Sequence, residues 1–306
     1  MKKQACKPVI VGIDIGATKT KMAFLRQNKL ITFFHKPTPQ EPERAADMIV
    51  RALSRAKLPG SLEGIGIGCP GPLNQEKGVV LSPPNLPRWN RFRLKAVIEK
   101  RLGTRAILEN DANAGALGEA VHGSGRRFRH VFYMTISTGI GTGLVLDKRI
   151  YRGSKGLAGE IWAFVPESFR GNEGTWNLTE LGSGKGMVKQ VKHYIAQGRK
   201  TLIRNTNIST GSIMAAWEKG DPLAREVVTT ARRSLAGALS FVVHMMAPDL
   251  IVLGGGLCTD PRWLVDPVRR MVKKHIHIPE LAEIPVRRAR LWNEAVLYGA
   301  IALFDE

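Results

Sequence analysis

Residues 12–21 read Gly-Ile-Asp-Ile-Gly-Ala-Thr-Lys-Thr-Lys, and residues 137–143 read Ser-Thr-Gly-Ile-Gly-Thr-Gly. Each turn follows a largely apolar run, 9–13 leading into the first stretch and 130–136 preceding the second. Each leads into another, 22–25 and 144–146. An apolar run, a glycine- and threonine-bearing turn and a return run predict a strand-turn-strand hairpin. One such hairpin is ordinary. Two of them, near residue 10 and near residue 130, each opening a stretch of alternating strand and helix patterns, predict two related α/β halves.

Outward from the first copy, Ala45, Met48, Ile49, Ala52, Leu53 and Ala56 recur at helical spacing and predict an amphipathic helix over 44–57. Residues 64–68 read as a short strand running into the rigid loop Pro70-Gly71-Pro72. A helix over 94–102, a strand over 106–108 and a helix over 112–121 follow. Outward from the second copy, Met187, Val188, Val191 and Ile195 share one side of a helix over 184–195. Asp221-Pro222 supplies a cap and a first-turn proline for a long helix reaching residue 246. A buried strand over 250–253 ends in Gly254-Gly255-Gly256, and Asn293 is read as the cap of a last helix over 294–304. The boundary falls within 119–129. This gives an N-terminal α/β domain over 1–120, completed by 293–306, and a larger α/β domain over 121–292.

The chain has 306 residues, long enough for two domains. Its 43% apolar and 24% charged residues are globular in balance. No stretch reaches the ~18 apolar residues of a membrane span; the best, 234–248, is too short and holds His244. Val9-Ile10-Val11 is too brief for the apolar region of a signal peptide. Cys6, Cys69 and Cys258 form no CxxC pair, which fits a reducing cytoplasm rather than a disulfide framework. The formal net charge is +20, yet Arg126-Arg127, Arg269-Arg270, Lys273-Lys274, Arg287-Arg288 and Arg290 are scattered. With no zinc-finger spacing and no aromatic-rich RNA motif beside it, this charge reads as a solvated surface, and nucleic acid is not expected as a partner.

Four segments carry chemistry. In Asp14-Ile15-Gly16-Ala17-Thr18-Lys19, glycine allows close approach to an anion, Thr18 offers a hydroxyl, Lys19 adds charge, and Asp14 suits a hydrated Mg2+. The segment is neither a Walker loop nor GxGxxG, and an ordinary hairpin turn explains it equally well. Thr138, Gly139, Gly141 and Thr142 make a second phosphate cradle by the same logic. In Glu109-Asn110-Asp111, Asp111 stands where a strand gives way to a helix; it either caps that helix or acts as a general base, with Asn110 positioning a hydroxyl. Gly254, Gly255 and Gly256 either leave room for adenine and ribose or form a flexible loop.

Taken together, GIDIGATKTK (12–21), GCPGPLN (68–74), PNLP (84–87), ENDANAGALGE (109–119), STGIGTG (137–143), GLAGE (156–160) and PDLIVLGGGL (248–257) resemble the ROK family of sugar kinases, in family order over nearly the whole chain. The resemblance implies two actin-like ATPase (ribonuclease H-like) domains with a nucleotide and sugar cleft between them. It implies a glucokinase-like, ATP-dependent transfer to a hexose or related sugar, at its primary hydroxyl. Asp111 matches the catalytic base; Asn110, Asn85 and Glu160 match positions that hold sugar hydroxyls, and Gly71 lies in a loop beside the sugar. Asp14, Gly16, Thr18 and Lys19 would form the first phosphate loop, with Asp14 holding Mg2+ through water. Thr138, Gly139, Gly141 and Thr142 would form the second, and Gly254, Gly255 and Gly256 would contact the adenosine. Family practice also implies a homodimer.

The departures lie on the sugar side. Where the family reads GExGH, this chain has Gly159-Glu160-Ile161-Trp162-Ala163, and the family's cysteine-rich segment becomes GNEGTWNLTEL at 171–181. Neither thiolate nor imidazole remains there, so no zinc is expected. The family's second sugar-binding glutamate falls on Thr179, with Glu180 adjacent as a replacement. Family repressors carry an N-terminal helix-turn-helix domain; with the first loop at residue 12, no room for one is expected. Two other readings stay open: a kinase using polyphosphate as donor, and a non-catalytic sugar- or nucleic-acid-binding protein.

Overall fold

The computed structural model describes residues 8–165 and 176–306. In chain order the first elements are β1 (Pro8–Ile15), β2 (Lys19–Arg26), β3 (Lys29–Pro37), α1 (Pro42–Arg55), β4 (Ser61–Cys69), β5 (Leu73–Asn74), β6 (Val79–Val80), α2 (Leu94–Leu102), β7 (Ala106–Asn110) and α3 (Asp111–Val121). Then come β8 (Val131–Ile136), β9 (Ile140–Leu146), β10 (Arg149–Ile150), α4 (Leu178–Gly182), α5 (Gly184–Ala196), α6 (Thr210–Glu218) and α7 (Pro222–Met246). The chain closes with β11 (Leu250–Gly254), α8 (Val265–His275), α9 (Pro279–Ala282), β12 (Val286–Arg288) and α10 (Ala295–Ala302). Among the described residues no helix is long and apolar enough to cross a membrane.

Two compact units result: residues 1–130, 143–158 and 290–306 form one, and 131–142 with 159–289 the other. The first unit therefore takes in 121–130, 143–158 and 290–292 besides the stretches assigned to it by sequence. Each unit is built on a mixed sheet, as the resemblance to actin-like ATPase domains implies.

The first sheet runs β3-β2-β1-β4-β7. β1, β2 and β3 are antiparallel neighbours, whereas β1, β4 and β7 are parallel. Alternation buries Val9, Val11, Ile13 and Ile15 of β1 with Ile65 and Ile67 of β4 and Leu108 of β7. Gly64, Gly66 and Gly68 repeat with period two on β4, and Gly12 sits on β1. A Cβ on Gly66 would stand 1.7 Å from the Ala300 carbonyl oxygen, and one on Gly12 2.5 Å from that of Leu297. On the far side of the same helix, a Cβ on Gly299 would stand 1.6 Å from the Ala114 carbonyl oxygen, and one on Gly118 2.1 Å from that of Ala295. α10 thus lies backbone-to-backbone against both the sheet and α3.

Three expectations are corrected here. The loop after the first strand is shorter than it reads: β1 continues through Asp14, and the turn is Gly16–Thr18, closed by the Gly16 amide donating to the Lys19 carbonyl at 2.9 Å. The sequence reading missed β3 altogether. It follows a two-residue turn in which Gln27 and Asn28 both have positive φ, 50° and 62°, the geometry favoured in tight hairpins. Asn293 does not cap the last helix. Trp292 at φ 49° turns the chain through a short 3-10 segment, α10 starts at Ala295 with no side-chain cap, and the helix ends at Ala302.

The second sheet runs β10-β9-β8-β11-β12, with β8, β11 and β12 parallel. β9 begins at Ile140, so the glycine-rich turn is confined to Ser137–Gly139 and the remaining glycines lie on the strand. α7 is capped as its sequence predicts: Asp221 Oδ1 accepts from the Ala224 amide at 2.8 Å, and Pro222 opens the first turn. Its buried side, including Val227, Ala231, Leu235 and Leu239, packs on α4, α5, α6 and α8.

Gly66→Ala should lower Tm in calorimetry by on the order of 5–10 °C, because backbone rather than a flexible side chain blocks the added methyl. Gly237→Ala on α7, with nothing within 4 Å, should leave Tm unchanged or raise it slightly.

Candidate active site

In the first unit the carboxyl ends of the parallel strands meet, which is where open α/β sheets place ligands. Asp14 on β1 pairs with Gly68 on β4, and Gly68 with Glu109 on β7; one residue on, Cys69 pairs with Asn110. β4 then turns through Pro70-Gly71-Pro72, and a Cβ on Gly71 would lie 3.0 Å from the Asn110 side-chain nitrogen. That loop therefore runs against the Asn110 amide.

β7 passes into α3 without a loop. Asn110 is the N-cap: its Oδ1 accepts from the Ala112 amide at 2.9 Å and the Asn113 amide at 3.3 Å. Capping therefore falls to Asn110, which leaves its Nδ2 to donate. Asp111 is the first helical residue, where the helix dipole favours a carboxylate, and its Oδ1 accepts from the Ala112 amide at 2.9 Å.

The electrostatics tie these pieces together. The half-buried Asp14 carboxyl is pushed up to about 7, first by burial and then by the Asp111 carboxylate, with Lys21 pulling the other way. Burial, then Asp111, then Asp14 raise the Cys69 thiol well above its ordinary value. Asp14 and Asp111 thus share a partly desolvated place with surplus negative charge. That donor set fits Mg2+, which binds through one or two carboxylates and keeps several waters. Among the described residues no group of three or more His, Cys, Asp or Glu side chains is placed to hold a metal ion.

Behind the pair lies a group that the sequence reading missed. Glu109 is fully buried. Its Oε2 accepts from Arg152 Nε at 2.7 Å, and its Oε1 from Asn113 Nδ2 at 3.0 Å and the Asn110 amide at 2.8 Å. Arg152 also donates to Glu306 at 2.7 Å. Burial pulls the Arg152 guanidinium down, but Glu109 and Glu306 together outweigh it and hold it above its usual value. Partners 43 and 154 residues apart leave no local sequence signal.

The first loop is braced from 38–40: Thr38 donates its hydroxyl to the Gly16 carbonyl at 2.7 Å and its amide to the Thr18 carbonyl at 3.0 Å. The Thr18 and Lys19 side chains are exposed at its tip. Asn85 is exposed in the turn before the buried Leu86.

In the second unit, the Ser137–Gly139 turn is anchored to α5, whose Gly184 and Lys185 amides donate to the Ser137 and Thr138 carbonyls at 2.8 and 3.1 Å. Gly254–Gly256 comes to the same place, since Gly254 pairs with Thr135 and a Cβ on Gly256 would lie 3.6 Å from Ser137 Oγ. Gly255 has φ 86° and no space for a Cβ, which would stand 2.4 Å from the Ile136 carbonyl oxygen. Gly141 and Thr142 lie on β9, and Thr142 donates its hydroxyl to the Gly159 carbonyl. Glu160 is exposed and accepts from the Trp162 indole. Both oxygens of Glu180 are engaged, one by Lys189 and the other by the Asn177 amide in a capping box. Burial acts upward on that carboxyl, but these bonds outweigh it and hold it below the usual range. Of the segment that replaces the cysteine-rich region, residues 171–175 lie outside the described residues.

Residues 10–306 match the ROK family. The chain belongs to the ROK family. A glucokinase of Streptomyces coelicolor is 30% identical over 97% of both chains. The ROK hexokinase of Thermus thermophilus has a structure superposing at a TM-score of 0.81, with 31% identity over 97% of this chain and 98% of that one. A ROK family glucokinase of Streptomyces griseus, solved with glucose and AMPPNP, superposes at 0.77, with 27% identity over 96% and 98%. Within this ROK chain, the structure brings Asp14, Asn110, Asp111 and the Gly71 loop together in one unit, and the 137–139 turn with Gly254–Gly256 in the other.

Because burial and Asp111 raise the proton affinity of Asp14, the contribution of this group to stability depends on pH. Between pH ~4 and ~7 the folded carboxyl holds a proton that the unfolded one has lost, so stability from this group falls as pH rises through that window. Asp14→Asn should therefore stabilise the fold at pH 8, by roughly 2–4 kcal/mol, with the gain shrinking toward pH 4 in urea titrations. Arg152→Met should cost about 3–5 kcal/mol by leaving Glu109 buried without its cation, and adding Glu109→Gln should recover part of that loss.

Proposed function

We propose that the chain uses ATP to phosphorylate a hydroxyl, the primary hydroxyl of a hexose or related sugar, with Asp111 as the general base. The chain is a carbohydrate kinase; acceptor, donor and base are what the proposal adds. The observation that carries it is Asp111 itself. Asn110 relieves it of the capping role, and its carboxylate stands near enough to Asp14 to raise that group's proton affinity. Relatives named glucokinase and hexokinase, at 30% and 31% identity, support a hexose acceptor.

In the proposed reaction the sugar hydroxyl gives its proton to an Asp111 oxygen as its own oxygen bonds the γ-phosphorus. The bond from that phosphorus to the bridging oxygen breaks, and ADP leaves. Such transfers ask mainly for positioning and charge stabilisation. Asn110 Nδ2, Asn85, Glu160 and the Gly71 loop orient the sugar. Glu180 is engaged in the fold and is not assigned to it. Gly16, Thr18 and Lys19 stabilise charge on the transferred group. The 137–139 turn supplies backbone donors to the nucleotide phosphates, Gly141 and Thr142 hold that turn's strand, and Gly254–Gly256 receive the adenosine. Asp14 would hold Mg2+ through water, which would supply charge neutralisation. We place this activity in the cytoplasm and in a homodimer.

ADP release over hexoses, N-acylated amino sugars and pentoses, with ATP and polyphosphate in parallel, identifies acceptor and donor. Asp111→Asn should lower kcat by roughly 100- to 10,000-fold while the sugar Kd stays within a few-fold. Near-normal turnover of that variant would remove Asp111 from its role.

A further inference from the structure

The kinase reading uses few of the 46 lysines and arginines. In sequence they look dispersed, yet the first unit gathers four of them. A groove of about 490 Å³ runs between β3 and α1. Its floor is apolar and half-buried: Phe34 from the strand, with Met48 and Ala52 from the helix. Its rim is cationic and exposed: Lys36 on β3, and Arg44, Arg51 and Arg55 on α1.

Steps of seven and four residues bring the three arginines onto one helix face, at intervals of about 10 and 6 Å along the axis. β3 is an edge strand, so no further strand of its sheet covers the opposite bank. Among the described residues none of the four charged ends has an ion pair or hydrogen bond. The groove's one acidic residue, Asp47, is already paired with Arg101. Glu43, in the first turn of α1, is exposed and does not line the groove.

We infer that this groove binds single-stranded nucleic acid. Charge spread over about 16 Å of helix suits a chain of phosphates better than a single one. An apolar floor carrying an aromatic ring suits bases, whose faces stack on such groups whatever their sequence. Inorganic polyphosphate and acidic peptides are also polyanions, but a polyphosphate chain and a run of carboxylates offer nothing flat and apolar for that floor. The net charge of +20 draws a long polyanion toward the surface. A duplex, with its bases stacked inside, would meet the rim alone. The site uses no residue of the proposed kinase machinery, so the two activities stand or fall separately.

The test is fluorescence anisotropy of labelled mixed-sequence 12-mers, one DNA and one RNA, on the full chain. Four cationic contacts predict a slope of log K against log salt of about −2.8, or roughly 50-fold weaker binding between 50 and 200 mM. Arg44→Gln, Arg51→Gln and Arg55→Gln combined should weaken binding at least tenfold at low salt and bring the slope toward about −0.7, the value for one remaining contact. Sugar-dependent ADP release should be unchanged in that variant, which also shows that it folds. Phe34→Leu keeps the apolar floor but removes the ring, and should weaken binding about fivefold or more with no change in slope. Tight binding of either 12-mer with these responses supports the site. Undiminished binding by the triple variant would overturn it, as would equal affinity for duplex, polyphosphate or poly-glutamate of matched charge.

Discussion

The packing of α10 against its neighbours is a backbone contact on both sides, and the site in the first unit depends on it. At Gly12 and Gly66 the helix meets the sheet, and at Gly118 and Gly299 it meets α3, in each case where even a methyl group would collide with a carbonyl oxygen. Such contacts leave no slack, because backbone cannot step aside as a side chain can. α3 is held at one distance from β1 and β4, and it starts directly from β7. The position of Asp111 relative to Asp14 is therefore set by the close approach of α10, whose backbone at Leu297 and Ala300, with the Val296 and Ile301 side chains, fills the space over Gly12, Gly66 and Gly68. Glycine in regular structure carries an entropic penalty; here it secures placement that a larger residue would forbid.

The carboxylates around that junction fall into two kinds. Glu109 is buried deepest, and its charge is answered by a guanidinium, an amide side chain and a backbone amide. Its work is to hold the β7–α3 corner, since it bonds the backbone of the residue that caps the helix. Asp14 faces the like charge of Asp111. Lys21 favours the charged form of Asp14, but the same ammonium also donates to the Asn293 carbonyl at 3.2 Å. Repulsion between like charges in a half-buried place destabilises the fold at neutral pH and leaves a standing affinity for cations and protons. Perturbed carboxyls of this kind are what a site for proton or cation chemistry requires.

Much of this was legible in the sequence. The paired hairpins, the helix capped by Asp221-Pro222 and the strand ending in Gly254 all announced themselves locally, through periodicity and turn chemistry. β3 did not, because an edge strand with most residues exposed has no apolar alternation to read. Asn110 and Asp111 were two adjacent residues able to cap one helix, and only the placement of side-chain oxygens decides between them. Gly64, Gly66 and Gly68 could be read as a strand, but the reason for the glycines lies more than 220 residues away, in α10 for Gly66 and Gly68 and at Phe304 just beyond it for Gly64. Arg152 and Glu306 were invisible for the same reason: long-range partners leave no trace in spacing.

The two sheets show how one topology supports different chemistry. In β3-β2-β1-β4-β7 and in β10-β9-β8-β11-β12, a hairpin lies beside two further parallel strands, and the turn residues gather at the same end of the parallel set. In the first sheet those ends carry Asp14 and, one residue past β7, Asp111: side-chain groups that exchange protons and attract cations. In the second they carry the exposed 137–139 turn and three glycines, of which Gly256 is exposed, and no carboxylate. A carboxylate repels phosphate oxygens unless a cation lies between them, and a peptide N–H cannot accept a proton from an alcohol. The proposed phosphoryl transfer asks for both kinds of group, and the repeated topology offers each at an equivalent edge of its own sheet.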